Sequence, residues 1–254
     1  MRLVRPAPLG HCVYCLATGV PLTEEHLIPR ALGGRVTLRD AVCEPCRRIT
    51  GRLEQVTLDR EFAVPKTLLA LKRRRARGKG PGRLPPVFLE GDDVAAATLT
   101  ADTFPRTFSL PAFEPAGLLA GVDRATTLPR IDVVDCTLNL GTPTRRTVAA
   151  TLPLADPRAY AYSIAKWAFT LAVAARGPER CDLQPMRDLL LGRRDDVFDF
   201  VGTPSTCAVP AREWLHDASV SAHGPWLTVT LWLFASAGMA PYEVVIGRTA
   251  TSDD

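Results

Sequence analysis

Residues 12–46 run CVYCLATGVPLTEEHLIPRALGGRVTLRDAVCEPC, and the reading of this stretch decides the fold of the N-terminal part. Two C-x-x-C pairs, Cys12/Cys15 and Cys43/Cys46, bound it with 27 residues between them. A C-x-x-C turn points two thiolates at one cation, and two such turns complete a tetrahedron, the arrangement zinc prefers. Pro45 stiffens the second turn. A site closed by four cysteines has no open position for substrate, so the expected role of zinc is structural. Metal binding of about 10–16 kcal/mol lets a module this small fold. Disulfides are the weaker reading in a chain without a secretory leader, and the N-terminus MRLVRPAPLGHC lacks the apolar core of one.

Between the two pairs stand Glu25-His26, Pro29, Gly33-Gly34 and the run Leu38 to Cys43. This combination resembles the HNH endonuclease family, the ββα-metal or His-Me finger nucleases, over residues 10–60, about a quarter of the chain. GGRVTL and CRRITGRLE resemble a bacterial subgroup that carries a longer C-terminal part. The resemblance implies a strand ending near His26, a loop through Pro29 and Gly33-Gly34, a second strand over 36–42, and a helix from Glu44 to about Gln55. It also implies hydrolysis of phosphodiester bonds in DNA, with RNA not excluded. His26 would be the general base, a role that suits an imidazole neutral near pH 7. Glu25 would help bind a catalytic Mg or Mn ion, since hard cations prefer carboxylate oxygen.

Two positions depart from the family pattern. Asp40 falls where the middle asparagine is expected, and an aspartate can brace the same loop. Arg47 falls where a metal-binding His or Asn usually follows the second cysteine pair, and a guanidinium does not ligate a cation. Three readings stay open. Glu44, Glu54 or Asp59 completes the cation site, Arg47 grips phosphate instead, or cleavage has been lost. The alternatives to a nuclease are therefore a zinc-stabilised nucleic-acid-binding protein without catalysis and a protein–protein adaptor.

Charge favours a polyanionic partner for the first part of the chain. Residues 1–90 hold 17 Lys/Arg against 8 Asp/Glu, whereas residues 91–254 hold 14 against 19. The excess of Arg over Lys, 27 to 4, fits a compositional bias, but bias does not cluster charge at one end. Residues 72–83 contain Lys72, Arg73, Arg74, Arg75, Arg77, Lys79 and Arg83 and no acid. With Arg47, Arg48 and Arg52 on the expected helix, they are candidates for phosphate contact. No aromatic residue interleaves the run, so base stacking is not indicated.

The expected organisation is a metal-bound module over 1–62, a basic linker over 63–84, and a mixed α+β domain over 85–254. In that domain, residues 131–140 form a strand. Asp156 caps a long helix that Pro157 opens and Gly177 closes. Tyr160, Ile164, Trp167, Leu171 and Ala175 would form its core face. A shorter helix covers 186–194. Residues 214–223, 225–234 and 241–248 form an antiparallel meander. This domain carries no recognisable motif that assigns it a function, and choosing the target, forming a homodimer and binding a partner protein stay open as its role. His11, which adjoins Cys12, is expected to be exposed rather than a zinc ligand, His216 and His223 to be structural, and Asp195, Asp196 and Asp199 to form a solvated turn. No apolar run spans a membrane, and a cytoplasmic location is the expectation.

Overall fold

The computed structural model describes residues 6–69, 71, 87–88, 96–97, 104, 106–125, 127–138, 156–177, 181–205 and 214–249. The basic run from Lys72 to Arg83 and Cys207 lie outside them.

The chain is a mixed α+β structure. Its first unit is an antiparallel hairpin of β1 (Leu22–His26) and β2 (Thr37–Cys43), followed by α1 (Glu44–Asp59). Pro45 stands at the start of α1, where its missing N–H costs nothing. Gly51 does not stop this helix, which continues to Asp59, four residues past the expected end. The loop between the strands is fixed by its glycines. Gly33 has φ +90°, a conformation that side chains with a Cβ resist. The Gly34 N–H donates to Pro29 O at 3.1 Å, and a Cβ at Gly34 would lie 1.8 Å from Ile28 O. Pro29 and the two glycines thus turn the chain back on itself directly after His26.

A short helix α2 (Ala63–Leu68) follows within the segment expected to be linker, and the Lys66 ammonium donates to Leu58 O. Two-residue strands β3 (Val87–Phe88) and β4 (Ala96–Ala97) pair with each other. β5 (Thr107–Phe113) pairs antiparallel with β6 (Ile131–Thr137), with α3 (Gly117–Ala120) between them. α4 (Pro157–Arg176) is the long helix, and its cap is as the sequence suggests, since Asp156 accepts from the Arg158 and Ala159 N–H groups. β7 (Cys181–Asp182), α5 (Gln184–Leu190), α6 (Val197–Phe200) and β8 (Val201–Gly202) lead to the meander β9 (His216–His223), β10 (Trp226–Leu233) and β11 (Tyr242–Thr249). The five-stranded sheet runs β7-β11-β10-β9, with β8 on the other end of β11, and every pair is antiparallel.

α4 is buried almost all round rather than on one face, the pattern of a helix enclosed by other elements. Of its expected core residues only Ala175 is half-exposed. The hairpin–helix unit joins the same hydrophobic core as the later elements. Phe62 packs on Tyr160, Trp167 and Phe234 with ring centroids 5.5, 5.7 and 5.8 Å apart. Tyr14 stacks on Phe169 at 5.8 Å. Thr57 Oγ1 donates to Ala159 O at 3.1 Å and accepts from Ser163 Oγ at 2.9 Å. The first unit is therefore seated on α4, not set apart from it.

Candidate metal centre and the Glu25–Lys166 cluster

Cys12 and Cys15 lie in the turn that precedes β1. The Leu16 N–H closes this turn on Cys12 O at 2.8 Å, with Leu16 itself at φ +63°. Cys43 ends β2 and Cys46 lies in the first turn of α1, so the strand-to-helix junction supplies the second pair. The four sulfurs all lie within 4.8 Å of one another, and Cys15 Sγ is 3.6 Å from Cys43 Sγ. A tetrahedron with Zn–S bonds of about 2.3 Å has sulfurs about 3.8 Å apart. The residues fit a zinc ion. Burial alone would raise the Cys12 thiol, but the N–H groups of Cys15, Cys43 and Tyr14 outweigh it and bring the pKa down to about 7. Burial and the neighbouring thiols push Cys46 well up. One thiolate forms readily and its neighbours then resist ionising, a conflict that a dication removes. His11 is not part of the cluster, and its Nδ1 bonds Leu9 O at 3.0 Å.

The turn holds the rest of the chain through Arg187 of α5, whose Nε donates to Val13 O at 3.0 Å. The cysteine corner is thus braced by two later helices, α4 through Tyr14 and α5 through Arg187.

On the inner face of the hairpin the geometry differs from what the resemblance implies. Glu25 is only 6% exposed, and its Oε1 lies 3.0 Å from the Nζ of Lys166 in α4. The same ammonium lies 3.1 Å from Glu54 Oε1 on α1, and Glu54 also accepts from Trp167 Nε1 at 2.7 Å. Of the three acids that could accompany Glu25, only Glu54 comes to it, and it does so through a lysine. Burial raises the Glu25 pKa against the pull of Lys166. Burial would lower Lys166, but Glu54 and Glu25 outweigh it and raise its pKa. The Glu25 oxygen bonded to this ammonium is not free to ligate a cation.

His26 ends β1 and is half-buried, with Leu27 N–H bonded to Val36 O just beyond it. Burial lowers its pKa, opposed by Glu24, so the ring is neutral at pH 7. Its Nδ1 is enclosed without a hydrogen-bond partner among the described residues. Asp40 is exposed on β2 at φ +47°, and its carbonyl accepts from the Gly10 N–H at 3.1 Å. Its role is in the backbone, because no side-chain bond of Asp40 braces the His26 loop among the described residues. Arg47 and Arg48 both bond Glu44, at 2.8 and 3.0 Å, on the exposed side of α1. Arg52 is exposed. Asp59 accepts from Gln55 at 2.7 Å.

His216 links the sheet to the loop after His26, with its Nε2 2.9 Å from Leu32 O. His223 pairs with Glu243 at 3.3 Å. The acidic turn is not simply solvated. Asp196 is buried against the Arg194 guanidinium, and Asp199 Oδ1 accepts from the Arg124 N–H at 2.7 Å.

Lys166 escaped the sequence reading, although a signal was there: it is the only charged residue between Arg158 and Arg176 in an otherwise apolar helix. The helical spacing of Ser163, Lys166, Trp167 and Thr170 puts them on one stripe of α4, which faces Glu54 and Thr57 of α1. Set against family models, curated proteins and solved structures, the chain matches none of them. Among the described residues, no helix is long and apolar enough to cross a membrane.

Proposed function

We propose that this chain engages the nucleic-acid backbone through an HNH-type ββα module stapled by zinc, and that Lys166 stands where the resemblance puts the catalytic cation. It then binds DNA without metal-dependent cleavage at Glu25. The observation that carries this reading is the Lys166 ammonium, 5% exposed and within 3.0–3.1 Å of both Glu25 and Glu54. The charge of the first 90 residues and the exposed Arg30, Arg35, Arg39 and Arg52 support the polyanion as partner.

A second reading is favoured by one observation. The half-buried, neutral His26 retains the features of a general base. In that reading the chain is a nuclease with its cation held by groups other than Glu25.

Supercoiled plasmid separates the two. The wild-type protein and His26→Ala should shift the plasmid in a gel without nicking it, in Mg²⁺, in Mn²⁺ or in neither. Nicking by the wild type that needs the metal and disappears in His26→Ala would overturn the binding reading and establish the nuclease.

A further inference from the structure

The opposite face of the hairpin carries a second feature, a cleft of about 330 Å³ lined by Pro6, Glu24, Arg35, Val36, Thr37 and Arg39. Its volume lies at the lower end of the range for small-ligand sites, about 300–1,000 Å³. The cleft exists because β2 departs from regular pairing. Thr23 is opposite Val42 but Glu25 is opposite Leu38, so residues 39–41 bulge out of the ladder. The N-terminal segment fills in beside the bulge, with Leu9 N–H on Arg39 O at 3.0 Å and Gly10 N–H on Asp40 O at 3.1 Å. Arg39 is thereby turned out to solvent, on the same side as Arg35.

Neither arginine has an ion-pair partner among the described residues, in contrast to Arg47 and Arg48, which share Glu44. Thr37 adds a hydroxyl between the two arginines, and it lies directly across the ladder from His26. Glu24 places one carboxylate in the same cleft, leaving a net charge of +1. Two guanidiniums without an ion-pair partner among the described residues, flanking a hydroxyl, suit the non-bridging oxygens of a phosphodiester, which Arg can grip with paired N–H groups.

The geometry points to this cleft as the place where the phosphodiester backbone of the bound nucleic acid docks, with Arg35 and Arg39 as the gripping groups and Glu24 as a brake on affinity. This inference rests on the nucleic-acid-binding reading above. It moves the contact from the outer side of α1, where Arg47 and Arg48 are already paired, to the hairpin.

The test is the salt dependence of binding to a labelled mixed-sequence DNA duplex, measured for the whole chain. Each phosphate contact contributes a slope of about −0.9 to log K against log salt. Arg35→Gln combined with Arg39→Gln should make that slope shallower by about two and weaken binding equally for unrelated sequences. Glu24→Gln should tighten binding at low salt. All three side chains are at the surface, so zinc content and melting temperature serve as controls for folding. If the double variant keeps the wild-type slope while the wild type binds, the cleft is not the contact and the inference falls, with nucleic-acid binding intact. No salt-dependent binding by the wild type would overturn both.

Discussion

At Cys46, in the first turn of α1, four thiols converge on a point that suits a metal ion, while eight residues further along, at Glu54, two carboxylates converge on a lysine from another helix. Cys46 and Glu54 are thus about 12 Å apart along the helix axis, at 1.5 Å per residue. Both gather negative charge in partly or wholly buried surroundings. The first is arranged to take its balancing charge from a metal ion, and in the second the chain itself supplies it. The difference has a consequence. The cysteine corner should respond to metal supply and chelation, whereas the Glu25–Lys166–Glu54 cluster should respond to pH and to the seating of α1 on α4.

The largest effect should come from breaking the cysteine corner. A strong chelator, or Cys43→Ser with Cys46→Ser, removes binding free energy of order 10 kcal/mol. The loss should not stay local, because Tyr14 and Arg187 tie this turn to α4 and α5. Far-UV circular dichroism should show the melting transition of the whole chain moving down sharply as zinc is removed. An unchanged transition in metal-free protein would mean that the thiols carry no structural metal.

Next in size is the loss of Lys166. Lys166→Met leaves the buried Glu25 and the half-buried Glu54 without their cation, and breaking the buried Glu25 pair in this way costs about 3–5 kcal/mol. Denaturant titration at pH 7 should show that loss, and adding Glu25→Gln should recover part of it. The metal response is the sharper comparison. Mn²⁺ should raise the melting temperature of Lys166→Ala, where the two carboxylates are freed, but not that of the wild type. An equal rise in both proteins would mean that the lysine does not hold the cation's place.

Much of this was legible from the first unit and little from the contacts between units. The resemblance put a loop through Pro29 and Gly33-Gly34 after His26, where the chain does turn. The cysteine spacing gave the metal corner, because it is a local requirement of geometry. Asp156, Pro157 and Gly177 marked the ends of α4 for the same reason. The meander followed from strand patterning and its turns. Lys166 was another matter. That Glu25 meets a residue 141 positions away depends on how α4 packs, and no local pattern encodes the partner. Glu25-His26 looks the same in the sequence whether a metal or an ammonium sits beside it.

The smallest effect concerns a third tie between the first unit and the sheet, and its pH dependence has the opposite sign from that of Lys166. The raised pKa of Lys166 means that its contribution is fully present below about pH 10.5 and is lost as pH rises through the folded value. For His216, burial lowers the pKa from 6.5 to about 4. Its Nε2 bonds Leu32 O at 2.9 Å, while its Nδ1 accepts from the Phe234 N–H at 3.3 Å. Only the neutral ring with its proton on Nε2 can make both bonds, since protonating Nδ1 would set one N–H against another. The folded state therefore binds fewer protons than the unfolded state between these pH values. Stability should fall as pH drops below about 6.5, reaching a loss of at most about 3 kcal/mol by pH 4. His216→Gln can keep a bond to Leu32 O but does not titrate. Its melting temperature should fall less steeply between pH 6.5 and 4 than that of the wild type. Identical acid limbs for the two proteins would remove His216 from the account of how the hairpin is held to the sheet.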